Sequence, residues 1–358
     1  MCRLLPANIR LGCTRATRGL STNISFTLPR ESVFFAEQLD VDLKLHHLPL
    51  RNTPEGSLGL IQMHKKGIDT TRAPVVFLLH GAISNGYMFW SSSGKGLGPY
   101  LASRGVNVFI GDTRGRGFSA PSIIQEAEDR GTVSHGQVEC IRDDLPTFID
   151  AVSNLSGRPD GKQHWIAHSW GGVLLSSTLA RYGAEFEDRV DSMVCIGTKK
   201  YIGQKMSWDY VKNIAWGWNF VCPLLAKYYG YLPVTKYKFG MDEETISSLR
   251  DCTTWVEARS SWVDPTDGTD YLALWNRLNR RPATWHICAS NDSYLGNPKD
   301  VQRWAQLTGQ TQRFTEMSQS SGNLEDYNHN SMLTSKVAVN DHFPKIFEWI
   351  QEHSMKKE

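Results

Sequence analysis

One hexapeptide constrains this chain more than any other: Ala167-His168-Ser169-Trp170-Gly171-Gly172, set between the apolar run QHWIAH and the helical pattern VLLSSTLARYG. A strand that turns into a helix within so few residues brings the positions two before and two after the Ser against neighbouring backbone, so both must be small. Ala167 and Gly171 meet that demand, with Ala where the pattern more often has Gly. The turn exposes the Ser hydroxyl at the carboxyl end of a sheet. It also aims the first N–H groups of the helix at the place where negative charge would develop. Alone, the hexapeptide also fits a Ser in an ordinary strand–helix turn, so its weight depends on companions elsewhere in the chain.

Three companions are present. His80-Gly81 ends an upstream apolar strand, and the loop after it can supply one of the two donors an attacked carbonyl needs. The expected pair of oxyanion donors is the N–H of Ala82 and the N–H of Trp170. His80 itself, inside a strand–loop junction, reads as structural. Asp292 follows the apolar run TWHICASN, at the strand end where open α/β sheets collect functional groups, and is the first candidate for orienting a base. Asp264 and Asp326 compete with it. His329, in Asp-Tyr-Asn-His after the last strand, is the candidate base. The chain order Ser169, Asp292, His329 is the one expected for a nucleophile elbow on such a sheet.

The rest of the chain supplies that sheet. Residues 31–70 alternate apolar and polar and predict two or three antiparallel strands. APVVFLLHG and VNVFIGD read as strands buried on both faces. Helical and strand patterns then alternate through QVECIRDDLPTFIDAVSN, HWIAH, VLLSSTLARYG, VDSMVCIGT, ATWHICA, PKDVQRWAQ, QRFTEMS and FPKIFEWIQEH. This predicts an α/β fold, a mostly parallel central sheet with helices on both faces. Residues 200–280 break the alternation and read as helices without strands. Trp208, Val211, Ala215, Trp218, Cys222 and Leu225 recur at three and four, an expected apolar helical face that Pro223 should kink or end.

Together LLHGAISNGYMFW, GPYLASRGVNVFIGDTRGRGFS, AHSWGG, ASNDSYLG and DYNHNSML resemble the successive motifs of the α/β-hydrolase superfamily over about residues 75–350. The likeness is greatest to capped serine ester hydrolases related to acid lipases. It implies an α/β-hydrolase domain over 21–358 with a helical cap at about 199–280, roofing an apolar pocket for an acyl chain. It implies Ser169 as nucleophile, His329 as base, Asp292 as acid and a small-molecule acyl ester as substrate; no cofactor is expected, because no phosphate-binding Gly-loop precedes a Lys-Ser/Thr pair and GDTRGRG lacks the dinucleotide-binding spacing. Ala167 and Arg116, the latter where many relatives carry His or Asn, depart from the pattern without touching these three residues. The same residues would serve an acyltransferase or thioesterase, and a ligand-binding protein that has lost turnover is a third expectation.

Composition narrows what remains. The formal net charge is +2, which gives no reason to expect nucleic acid. No apolar stretch reaches the ~18 residues of a transmembrane helix. Residues 1–30 carry five Arg and no acid, the profile of a mitochondrial transit peptide, with Arg18-Gly19-Leu20-Ser21 resembling its cleavage site. Removing residues 1–20 changes the charge to −2 and leaves five cysteines without a C-x-x-C pair, expected as buried reduced thiols. His46 and His47 are adjacent in a predicted strand and point to opposite faces, so no metal site is expected.

Overall fold

The computed structural model describes residues 37–354, apart from 51–52, 159, 204, 206–207, 259–260 and 310. The expected transit peptide over 1–20 lies outside the described residues.

Eight strands form one sheet in the order β1-β2-β4-β3-β5-β6-β7-β8. They are β1 Val41–Leu50, β2 Thr53–Lys65, β3 Val75–Leu79, β4 Asn107–Asp112, β5 Gln163–His168, β6 Val190–Ile196, β7 Ala283–Ala289 and β8 Thr311–Met317, with helix α1 (Ile123–Arg130) following β4 and α7 (Pro298–Thr308) following β7. The first two pair antiparallel, and β2 joins β4 antiparallel; from β4 to β8 every pairing is parallel. The alternating segment and the continuous apolar runs thus divide as expected, because only the strands flanked by helices must bury both faces. Successive β3 side chains show it. Phe77 and Leu79 enter one apolar cluster with Phe148 of α2 (Leu145–Ser156) and Leu175 of α3 (Trp170–Arg181), while Val76 and Leu78 enter a second with Ile346 and Ile350 of α8 (Phe343–Ser354). Burying both faces at ~25 cal/mol per Å² supplies most of the favourable free energy of such a sheet.

Between β6 and β7 the chain is helical: a π-helix over Tyr210–Val221, α4 Cys222–Tyr229, α5 Ile246–Glu257 and α6 Tyr271–Asn276. Most of the expected face points inward: Cys222 is buried, and Ala215, Trp218 and Leu225 pack against the core. Its N-terminal end differs, since Trp208 is 76% exposed and Val211 lies outside the core, whereas Tyr210 and Ile214 are buried. The spacing of four between Tyr210 and Ile214 follows from the winding. A π-helix closes i→i+5 bonds, as Cys222 N–H does to Gly217 O, and has more residues per turn than the α-helix that the spacing assumed. Pro223 marks a change of winding: the π-helix ends at Val221, α4 begins at Cys222, and Cys222 N–H still donates to Gly217 O across the junction, so the helical segment continues through it.

This helical segment is fastened to the sheet layer by buried polar contacts. Asp264 accepts from the Tyr271 hydroxyl at 2.7 Å and pairs with Arg142 at 2.9 Å and Arg181 at 3.4 Å. Arg116 pairs with Glu244, which gives the departure at Arg116 a structural meaning. The described cysteines, 140, 195, 222, 252 and 288, are free and buried.

Candidate active site

β5 ends at His168, and Ser169 turns the chain into α3 with φ 52° and ψ −123°. Positive φ is uncommon for a residue with a Cβ and costs about 1–3 kcal/mol, so the surrounding packing must enforce it. The enforcement is visible. Ser169 N–H donates to Ile196 O of β6 at 2.7 Å. A Cβ on Gly171 would collide with His80 O, and one on Gly81 would stand 2.9 Å from the Ser169 Cβ. The small-residue requirement therefore extends from the elbow to the strand end beside it.

Asp292 and His329 meet although 37 positions separate them. His329 Nδ1 lies 2.7 Å from Asp292 Oδ2; the carboxylate accepts, so Nδ1–H donates and Nε2 holds the lone pair of the neutral ring. Two further bonds steady the pair: Asn291 N–H donates to Tyr327 O at 3.1 Å, and Leu295 N–H to Asp292 Oδ1 at 2.9 Å. Burial works against ionisation of Asp292. The hydrogen bond and charge of His329, the Gly296 amide and the Lys199 charge outweigh it and hold the carboxyl below its usual range.

Ser169 and His329 line one cavity of about 160 Å³, together with Ala82 and Trp170. The backbone N–H groups of Ala82 and Trp170 donate to nothing among the described residues, so both are open to an incoming oxygen. Ser169 Oγ makes no hydrogen bond among them either; such contacts commonly tighten only around substrate. The other walls are largely apolar, including Ile202, Ile214, Trp218 and Val256 of the helical segment and the chain leading to it. Cys252 also reaches this wall, but burial pushes its thiol up to about 12, leaving it protonated and unreactive at neutral pH.

The competitors are placed elsewhere. Asp264 serves the arginine pairs described above. Asp326 accepts from Gln319 N–H at 2.8 Å and stays on the surface side of its loop. His80 bonds Gly81 O through Nδ1 at 2.8 Å and receives Thr113 N–H at 3.3 Å. Burial, helped by the Arg116 charge, pushes its pKa down to about 3, so it stays neutral at the strand–loop junction. His168 is likewise pushed down to about 3, mainly by burial; its Nε2–H donates to the His329 carbonyl at 3.0 Å.

Some residues of the site went unread in the sequence. Gly197 and Gly296 form a cradle around the His–Asp pair: a Cβ on Gly296 would stand 2.8 Å from Asp292 Oδ2 and 2.9 Å from His329 Nδ1. Gly296 closes the ASNDSYLG motif, but only the tertiary contact gives it a role. Gln137 orients Trp170 by accepting from its Nε1 at 3.1 Å. Among the described residues no cluster of His, Cys, Asp and Glu could hold a metal, and no helix is long and apolar enough to cross a membrane.

Residues 74–327 match the family model described as the alpha/beta hydrolase fold. The chain belongs to the α/β-hydrolase family. Among curated relatives, triacylglycerol lipase 2 of Arabidopsis thaliana is 27% identical over 157 residues, 43% of this chain and 35% of that lipase. Lipase member N of Mus musculus is 30% identical over 110 residues, 30% of this chain and 27% of the lipase. The matched part therefore spans about a third or less of these relatives. Among solved structures, a carboxylesterase from Nitrososphaera gargenis superposes with a TM-score of 0.55 at 13% identity, covering 86% of this chain and 99% of that one. An esterase of Pyrococcus furiosus gives 0.51 at 14% identity, covering 89% and 94%. At such identities this likeness concerns the fold.

Proposed function

We propose that this hydrolase-family member is a serine hydrolase of carboxylic esters acting through an acyl-enzyme. The observation that carries the reading is the convergence on one cavity of a strained, half-buried Ser169, the Asp292-oriented His329 and two unoccupied amides.

In this reading Ser169 Oγ attacks the ester carbonyl while His329 Nε2 takes its proton. Asp292 holds the ring in the tautomer that leaves Nε2 free and stabilises the imidazolium that forms. The carbonyl oxygen becomes an anion between the Ala82 and Trp170 N–H groups, where losing one donor typically costs ~10²–10³ in rate. His329 returns the proton to the departing alcohol. Water, activated by the same nitrogen, then attacks the acyl carbon and releases the acid. The helices between β6 and β7 act as a cap that keeps the reacting centre poor in water, so the oxyanion contacts are made in a low dielectric.

The apolar wall supports an acyl chain, as do the partial matches to proteins named as lipases. The volume supports a short one: a dry cavity of roughly 150 Å³ holds about one benzene ring. The proposed setting is the mitochondrion, after removal of residues 1–20; N-terminal sequencing of the native protein should begin near Ser21, and a start at Met1 would reject it.

The test is labelling with a fluorophosphonate probe alongside hydrolysis of p-nitrophenyl butyrate. Ser169→Ala should lose labelling entirely and hydrolysis by about 10⁶. Undiminished labelling would reject Ser169 as nucleophile.

A further inference from the structure

Two lysines follow β6 beside the site, and they are held differently. Lys200 is 1% exposed and fully engaged, its Nζ donating to Trp255 O at 2.9 Å and Ser261 O at 2.7 Å. Lys199 is 8% exposed and lines the same cavity as Ser169 and His329. Among the described residues its ammonium makes no hydrogen bond and no ion pair.

The two carboxylates whose charge reaches Lys199 are already committed. Asp292 receives His329 Nδ1–H and the Leu295 N–H. Asp300 receives the Gly203 N–H on both oxygens, at 2.9 Å each. Among the described residues no other Lys, Arg, Asp or Glu lines the cavity. A buried cation without a bonded partner is a standing cost to the fold, and burial indeed holds Lys199 below its ordinary value. An anionic oxygen arriving in the cavity would supply the missing partner and offset that burial.

We propose that Lys199 selects, among esters, those bearing an anionic oxygen group on the part of the substrate that fills the cavity, a carboxylate being the simplest. The inference rests on the ester-hydrolase reading. Cleavage of a half-ester of a dicarboxylic acid would then release a dicarboxylate and an alcohol, with water as the only co-reactant. Lys199 is a specificity residue in this scheme. The contrasting role, a charge that merely supports Asp292, would slow every ester alike.

The experiment compares kcat/KM for matched pairs. In one arm the charge lies on the acyl part, mono-p-nitrophenyl adipate against p-nitrophenyl hexanoate. In the other it lies on the alcohol part, 4-hexanoyloxybenzoate against 4-hexanoyloxybenzamide. Wild type should favour the charged member of one pair by about 10- to 100-fold, as a charged hydrogen bond allows. Lys199→Met should bring that ratio close to one, and Lys199→Gln serves if the first variant fails to fold. The same ratios in wild type and variant would overturn the proposal. Calorimetry with adipamic acid and hexanamide needs no turnover. Tighter binding of adipamic acid by wild type, lost in Lys199→Met, upholds the cation even if none of the esters is cleaved. Equal binding of the two amides, together with equal binding of 4-hydroxybenzoate and 4-hydroxybenzamide, overturns it.

Discussion

Gly296→Ala tests how finely the His–Asp pair is held. The added Cβ would stand 2.8 Å from Asp292 Oδ2, 2.9 Å from Gly197 O and 2.9 Å from His329 Nδ1. Ordinary contact begins at about 3.5 Å, so each neighbour must give by ~0.6 Å. Gly296 lacks the positive φ that would add backbone strain, so the effect is one of space alone. The carboxylate and the ring must spread apart, which lengthens and weakens the 2.7 Å bond between them and turns the ring from its place. Misplacing a reacting group by about 1 Å costs ~10², and loss of the correct tautomer up to ~10⁴. The expected kcat on p-nitrophenyl butyrate therefore falls by about 10²–10⁴. KM should change little, because Gly296 does not line the cavity. Overpacking of this kind costs about 1–3 kcal/mol, read from denaturant unfolding. A kcat within threefold of wild type, in a protein that folds, would refute the cradle.

Asp292 has a folded-state pKa below its ordinary value, so its stabilisation is complete above the ordinary carboxylate range and is lost as pH falls through the lowered value. The stability gap between wild type and Asp292→Asn should be constant from pH 5 to 8 and shrink below about pH 4; a gap that widens in acid contradicts the assignment. Asp264→Asn leaves Arg142 and Arg181 with Asp267 as their remaining carboxylate, at 2.9 and 2.6 Å, so the loss is that of charged hydrogen bonds, about 1.5–3 kcal/mol. Unfolding curves should show that loss while the folded fraction still labels with fluorophosphonate, and lost labelling at full stability would bring Asp264 into the chemistry. Across p-nitrophenyl esters, each added CH2 should raise kcat/KM by about fourfold, from ~0.8 kcal/mol of burial, up to roughly six carbons. A rise continuing to sixteen carbons would mean that the chain lies outside the cavity.

Features governed by local chemistry were legible in the sequence. The elbow demands small residues at fixed offsets, so Ser169 could be placed within a turn before any contact was known. Strand burial wrote itself into the apolar runs at 75–79 and 163–168. The choice of Asp292 over Asp264 and Asp326 was weaker, because all three sit in turn-like or polar contexts; the contacts with His329, Arg142 and Gln319 separate them. Residues paired across long separations were illegible: Arg116 finds Glu244 on the helical segment, and Gly197 and Gly296 close on a histidine from the last loop. The helical face over 208–225 is legible only in its later part, where Ala215, Trp218, Cys222 and Leu225 pack inward; at its start the backbone winds in π geometry, a 3.6-residue period does not hold, and Tyr210 and Ile214 face the core in place of Trp208 and Val211.

The most direct test of the central claim is to catch the acyl group on the protein. Wild type mixed with p-nitrophenyl butyrate and quenched in acid within milliseconds should carry one butyryl mass increment, located by peptide mass spectrometry on Ser169 and absent from Ser169→Ala. It should accumulate in His329→Ala only if attack persists without the base. A butyryl group on any other residue, or product released by wild type with no adduct at Ser169 at any quench time, would contradict nucleophilic catalysis at the elbow.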